Sequence, residues 1–199
     1  MRRRIMDSAL EEFSQKGYGA SSINTICAAQ NVSKGIVYHY FETKDALFLA
    51  CVGECFERLM AYIQANMDEG PIQMESQLEK YFTVRTVFFQ TFPVYQRLFC
   101  EAVLSPPAHL YDEIQQRKRD FDQFNLQTLE RLLAPVSLCP GISLAEVIDM
   151  FRLFLDFINV RYQMAGAGAQ AFDAHEEGCR KALNILLYGV IGRKDATHE

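Results

Sequence analysis

The sequence holds almost no signal for β-structure. No sustained alternation of apolar and polar residues is bounded by turn residues, which excludes a sheet as the main architecture. Its six cysteines include no CxxC and form no cysteine–histidine cluster at zinc spacing, so a structural metal site is not expected. His175-Glu176-Glu177 is not an HExxH motif, and neither a glycine-rich phosphate loop nor a Ser/His/Asp arrangement is visible, so an enzyme is not expected. No apolar run reaches membrane-spanning length. The most apolar stretch, Val147 to Val160, is interrupted by Asp149, Arg152 and Asp156. Met1-Arg2-Arg3-Arg4 resembles the charged start of a secretory signal, but Asp7, Glu11 and Glu12 break any apolar segment after it. These absences predict a cytoplasmic chain with no cofactor, no metal and no membrane partner.

What is present is an ordinary globular composition: 199 residues, 49% hydrophobic and 23% charged. The net charge of −5 argues against a surface coated in positive charge. The signs are unevenly spread. Residues 1–47 carry six basic groups against five acidic ones, or +1, which leaves −6 for the remainder. Only the front quarter would tolerate a polyanion, and binding there depends on where the basic groups sit. Cys51 and Cys55 are one helical turn apart, a spacing open to a thiol sensor. The plainer reading makes all the cysteines small buried hydrophobes.

Helical periodicity runs through nearly the whole chain, and nine helices are expected. The first spans about Arg3 to Lys16 and stops at Gly17. A short second one follows Ser21 or Ser22 and reaches about Gln30. A third starts at Ser33 and ends near Tyr40. Thr43 caps a long fourth helix that reaches about Met67. After Gly70-Pro71, helices are expected over about Met74–Gln90, Pro93–Leu104, Ala108–Leu133, Ser143–Met164 and Phe172–Gly189. Ala165 to Gln170 reads as a linker, and Gly192 to Glu199 as a frayed polar tail. The expected class is all-α, with an N-terminal domain over 1–47 and a helical body over 48–199.

Helices two and three are joined by Asn31-Val32. Such a tight turn needs a residue that accepts the left-handed conformation, and after glycine asparagine is the usual choice. Val32 packs inward and sets the angle. This is the form of a helix-turn-helix between Ser21 and Lys44, a supporting helix followed by one whose start is free to enter a major groove. Val37 and Phe41 should face the core. Lys34, Gly35 and Ile36 fall at the exposed start, and Tyr38 and His39 continue outward. Gly35 permits close backbone approach, and Ile36 suits a thymine methyl. Sequence reading is expected from Lys34, Gly35, Ile36 and His39; Tyr38, His39, Lys44, Ser33 and Thr43 suit phosphate oxygens, and Ser22 is a further DNA-binding candidate.

The run Gly17-Tyr18, Ser21-Ser22-Ile23, Ile26, Val32 to Phe41 and Lys44-Asp45-Ala46-Leu47 resembles the DNA-binding signature of the TetR family of bacterial transcriptional regulators. That pattern is V-S-x-G-x-[LV]-Y-x-[YH]-F-x-x-K-[ED]-x-L, with paired Ser or Thr before the second helix. Two positions depart from it. Cys27 stands where the family has alanine, and Gln30-Asn31 replaces Ala-Gly. The resemblance implies a homodimer on a palindromic operator, a small-molecule effector bound in the body, and repression as the usual outcome. The alternative is a helical ligand-binding or scaffold protein that no longer binds DNA.

The body offers less. Aromatics suited to an apolar effector pocket are Phe88, Phe92, Tyr95, Phe99, Phe121, Phe124, Phe154 and Tyr162, with Arg85, Gln96, Asn125, Asn159 and Arg161 as polar candidates. By the resemblance, the last two helices pair with their copies. Their apolar stripes nominate Phe151, Leu155, Ile158, Leu183, Leu186 and Leu187 for that interface, although a stripe of this kind is equally a core face.

Overall fold

Helix boundaries in this chain follow its capping residues. In the structure, a computed structural model, residues 1–67, 74–165 and 171–190 are described. Those residues form nine α-helices: α1 Arg2–Ala20, α2 Ile23–Gln30, α3 Lys34–Phe41, α4 Lys44–Asn66, α5 Met74–Thr91, α6 Pro93–Leu104, α7 Tyr111–Leu133, α8 Leu144–Met164 and α9 Phe172–Val190. A single 3₁₀ turn, Ala108–Leu110, precedes α7. The expected break at Gly70-Pro71, positions 166–170 of the expected linker and the tail from Gly192 lie outside the described residues.

Four of the starts have a clear local reason. Ser22 accepts a hydrogen bond from the Asn24 N–H, and Thr43 accepts one from the Ala46 N–H. Pro93 opens α6, where its missing N–H is not needed. Ser143 and Glu146 form a reciprocal capping box at α8. Inside α1 the backbone leaves helical geometry at Gly17, with φ +74° and ψ 172°, so the regular helix ends where the sequence places its stop.

The α2–α3 turn is a complete Schellman motif. Asn31 is left-handed at φ 52° and ψ 47°; its N–H donates to Ala28 O, and the Val32 N–H donates to Cys27 O at 3.0 Å. Val32 packs on the core beneath it.

The main core is continuous from α1 to α7. Phe13 and Tyr18 of α1 meet Phe48 of α4 edge-on, with ring centroids 5.1 and 5.0 Å apart. Further along α4, Phe56 stacks on Phe121 of α7 at 5.3 Å. A second cluster joins Leu78, Leu129, Leu133, Val147, Phe151, Leu183 and Leu187, between α5, α7, α8 and α9. α4 thus runs from the N-terminal helices into the body, and position 47 falls within its first turn.

Asn31→Ala forces an ordinary side chain into the left-handed region and is expected to lower stability by about 1 kcal/mol. Asn31→Gly should match or exceed the original. Urea unfolding of the two variants measures this, and an unchanged midpoint for Asn31→Ala would refute the role given to the turn.

Candidate nucleic-acid interface and interior cavity

α3 presents one face to the core and the rest to solvent. Val37 and Phe41 are buried, whereas Lys34, Gly35, Ile36, Tyr38, His39 and Tyr40 are all exposed. The Ser33 hydroxyl makes no cap hydrogen bond, and the first intrahelical bond is donated by the Ile36 N–H. The Lys34 and Gly35 N–H groups therefore lack helical acceptors, an arrangement suited to an anion. A Cβ added at Gly35 would meet only the Ser33 hydroxyl, at 3.7 Å. Among the described residues, no packing demands glycine there. Tyr40 was not among the nominated residues, yet it is exposed and lies edge-on to His39 at 5.3 Å. Its exposure follows from its place beside Phe41, which takes the core position.

Helix α3 is held from behind. Buried Glu12 accepts from the Ser22 N–H and from the Lys16 ammonium, both at 2.9 Å. Burial alone would raise its pKa, but those two donors outweigh it and hold the carboxyl below its ordinary range. Gln30 accepts from Arg4 at 3.0 Å and donates to the Ser8 hydroxyl, so α2 is clamped to α1. After α3, Glu42 takes φ 56° and ψ −50°, and the Thr43 N–H donates back to Phe41 O at 2.5 Å. This is a γ-turn of the strained, positive-φ kind, fixed by the helices on either side.

Lys44 differs from the expectation of an outward cation. Its ammonium donates to Ser21 O at 2.9 Å and sits 4.5 Å from the centre of the Tyr18 ring. It pins the start of α4 to the entry of α2, and only part of its donor capacity faces solvent. Ser22 and Thr43 likewise spend their side chains on helix caps.

The same region is gripped by the body. The Tyr18 N–H donates to the Glu101 carboxylate at 2.9 and 3.0 Å, and Arg97 donates to Gln15 O at 2.9 Å. The Tyr18 hydroxyl donates to Asp45 at 2.5 Å and lies 3.1 Å from the His109 ring nitrogen. Burial and that aspartate push the phenol up to about 12. A side chain at Gly17 would come within 3.1 Å of Arg97 and 3.2 Å of Glu101, besides being strained by the positive φ.

The body contains a cavity of about 80 Å³ among α5, α6, α7, α8 and α9. Of the eight nominated aromatics, only Phe99 and Phe121 line it. Phe88 and Tyr95 stack on each other in the core, and the Tyr95 hydroxyl donates to Glu54 at 2.7 Å. Phe92 packs against Tyr62 and Phe88. Phe124 borders a separate groove beside Ile63 and Met67. Phe154 is half-buried on α8 outside the lining, and Tyr162 touches the cavity only indirectly, edge-on to His175. The aromatics of α5 and α6 fill the space between helices with one another, which periodicity cannot distinguish from lining a void. Among the polar candidates, Arg85, Asn125 and Asn159 do line the cavity, whereas Gln96 and Arg161 do not.

Arg85 is buried and pairs in bidentate fashion with Glu176 of α9, at 2.8 Å for both contacts. It also donates to the Tyr81 hydroxyl at 3.2 Å, and Tyr81 donates to Asn125 at 2.6 Å. The rings of Tyr81, Phe99 and Phe121 each lie 5.5 Å from the guanidinium. Burial would raise the Glu176 pKa, but the guanidinium overrides it and brings the carboxyl down to about 2. Nearby, Lys118 pairs with Asp122 at 2.5 Å. Glu176 follows His175, and nothing in the sequence pattern signals that either points inward at a cavity.

Burial drives every resolved thiol shift upward. Cys100 and Cys179 are pushed up to about 12, and Cys51 and Cys55 higher still. Such thiols are poor thiolates, which favours the reading as core hydrophobes over a sensor. Among the described residues no group of three or more His, Cys, Asp and Glu could hold a metal ion, and no helix is long and apolar enough to cross a membrane.

The nominated self-association residues need correction. Phe151, Ile158, Leu183 and Leu187 are buried within the chain, and Leu155 and Leu186 are half-buried against the second core cluster. The uncovered apolar face lies on the other side of α8: Met150, Leu153, Phe157, Val160 and Met164 are 53%, 62%, 63%, 46% and 84% exposed. Ile185 of α9 is 74% exposed. Helix α8 is apolar on two faces, and the more inward of them captured the sequence-based choice.

Residues 5–51 match the family model of bacterial regulatory proteins of the tetR family. That match is confined to the N-terminal quarter of the chain. The chain is 27% identical over 114 residues to the HTH-type transcriptional regulator RutR of Escherichia coli, covering 57% of the chain and 52% of RutR. It is also 27% identical over 70 residues to IcaR, the HTH-type negative transcriptional regulator of the biofilm operon icaADBC in Staphylococcus epidermidis, covering 35% of the chain and 38% of IcaR. The chain thus spans about half the length of RutR and less of IcaR. The crystal structure of the transcriptional regulator FadR from Bacillus subtilis in complex with stearoyl-CoA has the same fold, with a TM-score of 0.63 at 17% identity. That match covers 95% of this chain and 99% of FadR.

Arg85→Met leaves Glu176 buried without its partner and is expected to lower stability by about 3–5 kcal/mol. Combining it with Glu176→Leu should restore most of the loss, as urea unfolding will show; equal losses in both variants would exclude the pair as the cause. Because Glu176 sits below its ordinary value of 4.5, its contribution is complete at neutral pH and is withdrawn as pH falls from about 4.5 toward about 2. The double variant should therefore be less sensitive to acid across that window.

Proposed function

We propose that the chain is a homodimeric, effector-released repressor that reads a palindromic DNA operator through α3. The exposed α3 surface, clamped by α1, α2 and α4 within a segment that matches the TetR family, carries this reading. Ile36 and Gly35 meet base edges, assisted by Lys34, while Tyr38, His39, Ser33 and neighbouring N–H groups meet phosphates. Lys44 acts chiefly by holding α4 against α2, with its remaining donor capacity toward phosphate. The cytoplasm is the compartment that such a role requires.

One short helix makes few base contacts, so two copies on half-sites a helical turn or more apart are required. The outer face of α8, with Ile185, supplies the self-complementary patch. A four-helix arrangement of α8 and α9 with their copies would bury it.

Release follows from helices that serve two sites. α6 places Phe99 and Val103 in the cavity wall while Arg97 and Glu101 hold the end of α1. α4 reaches the wall through Phe56 on Phe121. A ligand that moves either helix tilts the reading heads and changes their spacing.

Mobility shifts on the DNA upstream of the protein's own gene test the proposal directly. Specific binding is expected at low salt, and its absence from any palindrome there would overturn the repressor reading. Lys34→Ala should lower the salt dependence by about one cationic contact and weaken the preference at the base it assists. Ile36→Ala should relax preference at a single base position. Phe157→Asp should give monomers in sedimentation and lose specific binding by about 100-fold or more; a stable dimer would displace the interface from α8.

A further inference from the structure

The cavity in the body is walled by apolar groups, but every charge on its lining already has a partner. Arg85 is neutralised by Glu176 through two bonds of 2.8 Å, and Lys118 by Asp122 at 2.5 Å. The net charge of these four groups is zero. A charged molecule entering this space would shed its water without gaining a free counter-charge, and it would oppose one member of a pair that is already satisfied.

One polar position on the lining is left open. The His175 Nε2 group lies 2.8 Å from Asn159 Oδ1, which fixes that nitrogen as the donor. Its Nδ1 is buried and has no hydrogen-bond partner among the described residues; the Glu176 carboxylate is 3.5 Å away. A hydroxyl or N–H group placed here would donate to the acceptor-only Glu176 carboxylate beside Nδ1.

We infer that the effector is a compact, electrically neutral molecule with an apolar body and a hydroxyl or N–H donor. The inference rests on the effector-released reading of the cavity given above. The donor seats at His175 Nδ1 and the Glu176 carboxylate edge, and the apolar body lies against Phe99, Val103, Phe121 and Leu129. The size follows from the space available. An apolar cavity of about 150 Å³ holds benzene, and this one is about 80 Å³. A single-ring ligand must push the walls outward, and α6 is one of those walls. An anionic headgroup finds no free cation here.

Three molecules of nearly equal shape decide the matter: benzyl alcohol, benzoate and protonated benzylamine, titrated by calorimetry and by thermal shift at neutral pH. Benzyl alcohol should bind at least about 10-fold more tightly than either ion. Tighter binding of benzoate or benzylamine would overturn the neutral class, and no binding by any of the three would overturn the cavity as a site for compact ligands. Glu176→Gln frees Arg85 and should reverse the order, so that benzoate binds best and raises the variant's melting temperature most. An unchanged order in a folded Glu176→Gln protein would place the ligand elsewhere and overturn the assignment; if that variant does not fold, the native titrations decide alone. The same compounds are added to the protein–DNA complex. Binding of benzyl alcohol without release of DNA would uphold the ligand class and remove the effector role.

Discussion

The first two turns of α4 are packed into the N-terminal helices through Phe48, whose ring is completely buried between Phe13 and Tyr18. Deleting a buried phenylalanine ring typically costs about 3–5 kcal/mol, against a total stability of about 5–15 kcal/mol for a domain. The geometry of α3 depends on this seating. α3 has only two buried anchors of its own, Val37 and Phe41, and takes its orientation from α1, α2 and the start of α4. Lys44, Thr43 and the Glu42 γ-turn act within the same few residues to set where α4 begins. Helix α3 is therefore held rigid by contacts that lie almost wholly behind its exposed face.

The polar interior of the body follows a different logic. Burying Arg85 and Glu176 is a poor way to add stability, since an apolar pair of similar size often does as well. What the pair does is fix α9 on α5 at one register and define the chemistry of the cavity. The three aromatic rings around the guanidinium serve both the pair and the cavity wall.

The N-terminal part was more legible in the sequence than the body, for physical reasons. Its short helices are bounded by residues with local jobs: Ser22 and Thr43 as caps, Asn31 in the left-handed region, and Val37 with Phe41 four apart on the buried face. Each can be inferred from its near neighbours. Lys44 could not, because its acceptor is a carbonyl 23 residues earlier. In the body, periodicity located the helices but left their faces undecided. On α8 the inward set of Val147, Phe151 and Ile158 and the outward set of Leu153, Phe157 and Val160 are both apolar, and only packing against α7 and α9 tells them apart. The aromatics of α5 and α6 divide between core and cavity for the same reason. Arg85 and Asn125 come from separate helices, and their shared site exists only once those helices have packed.

The positive φ at Gly17 has a consequence for how far the N-terminal helices are a separable part. Their boundary in the chain lies in α4, but their boundary in space runs through Gly17 and Tyr18, where Arg97 and Glu101 reach across from α6. Exchange of these helices with those of a relative at a junction in α4 would cut only one of the two connections. A working chimera has to carry the matching surface of α6 with it, because a bulky residue at the glycine, or a missing carboxylate at position 101, would leave the N-terminal helices joined to the body by covalent chain and yet mechanically uncoupled from it.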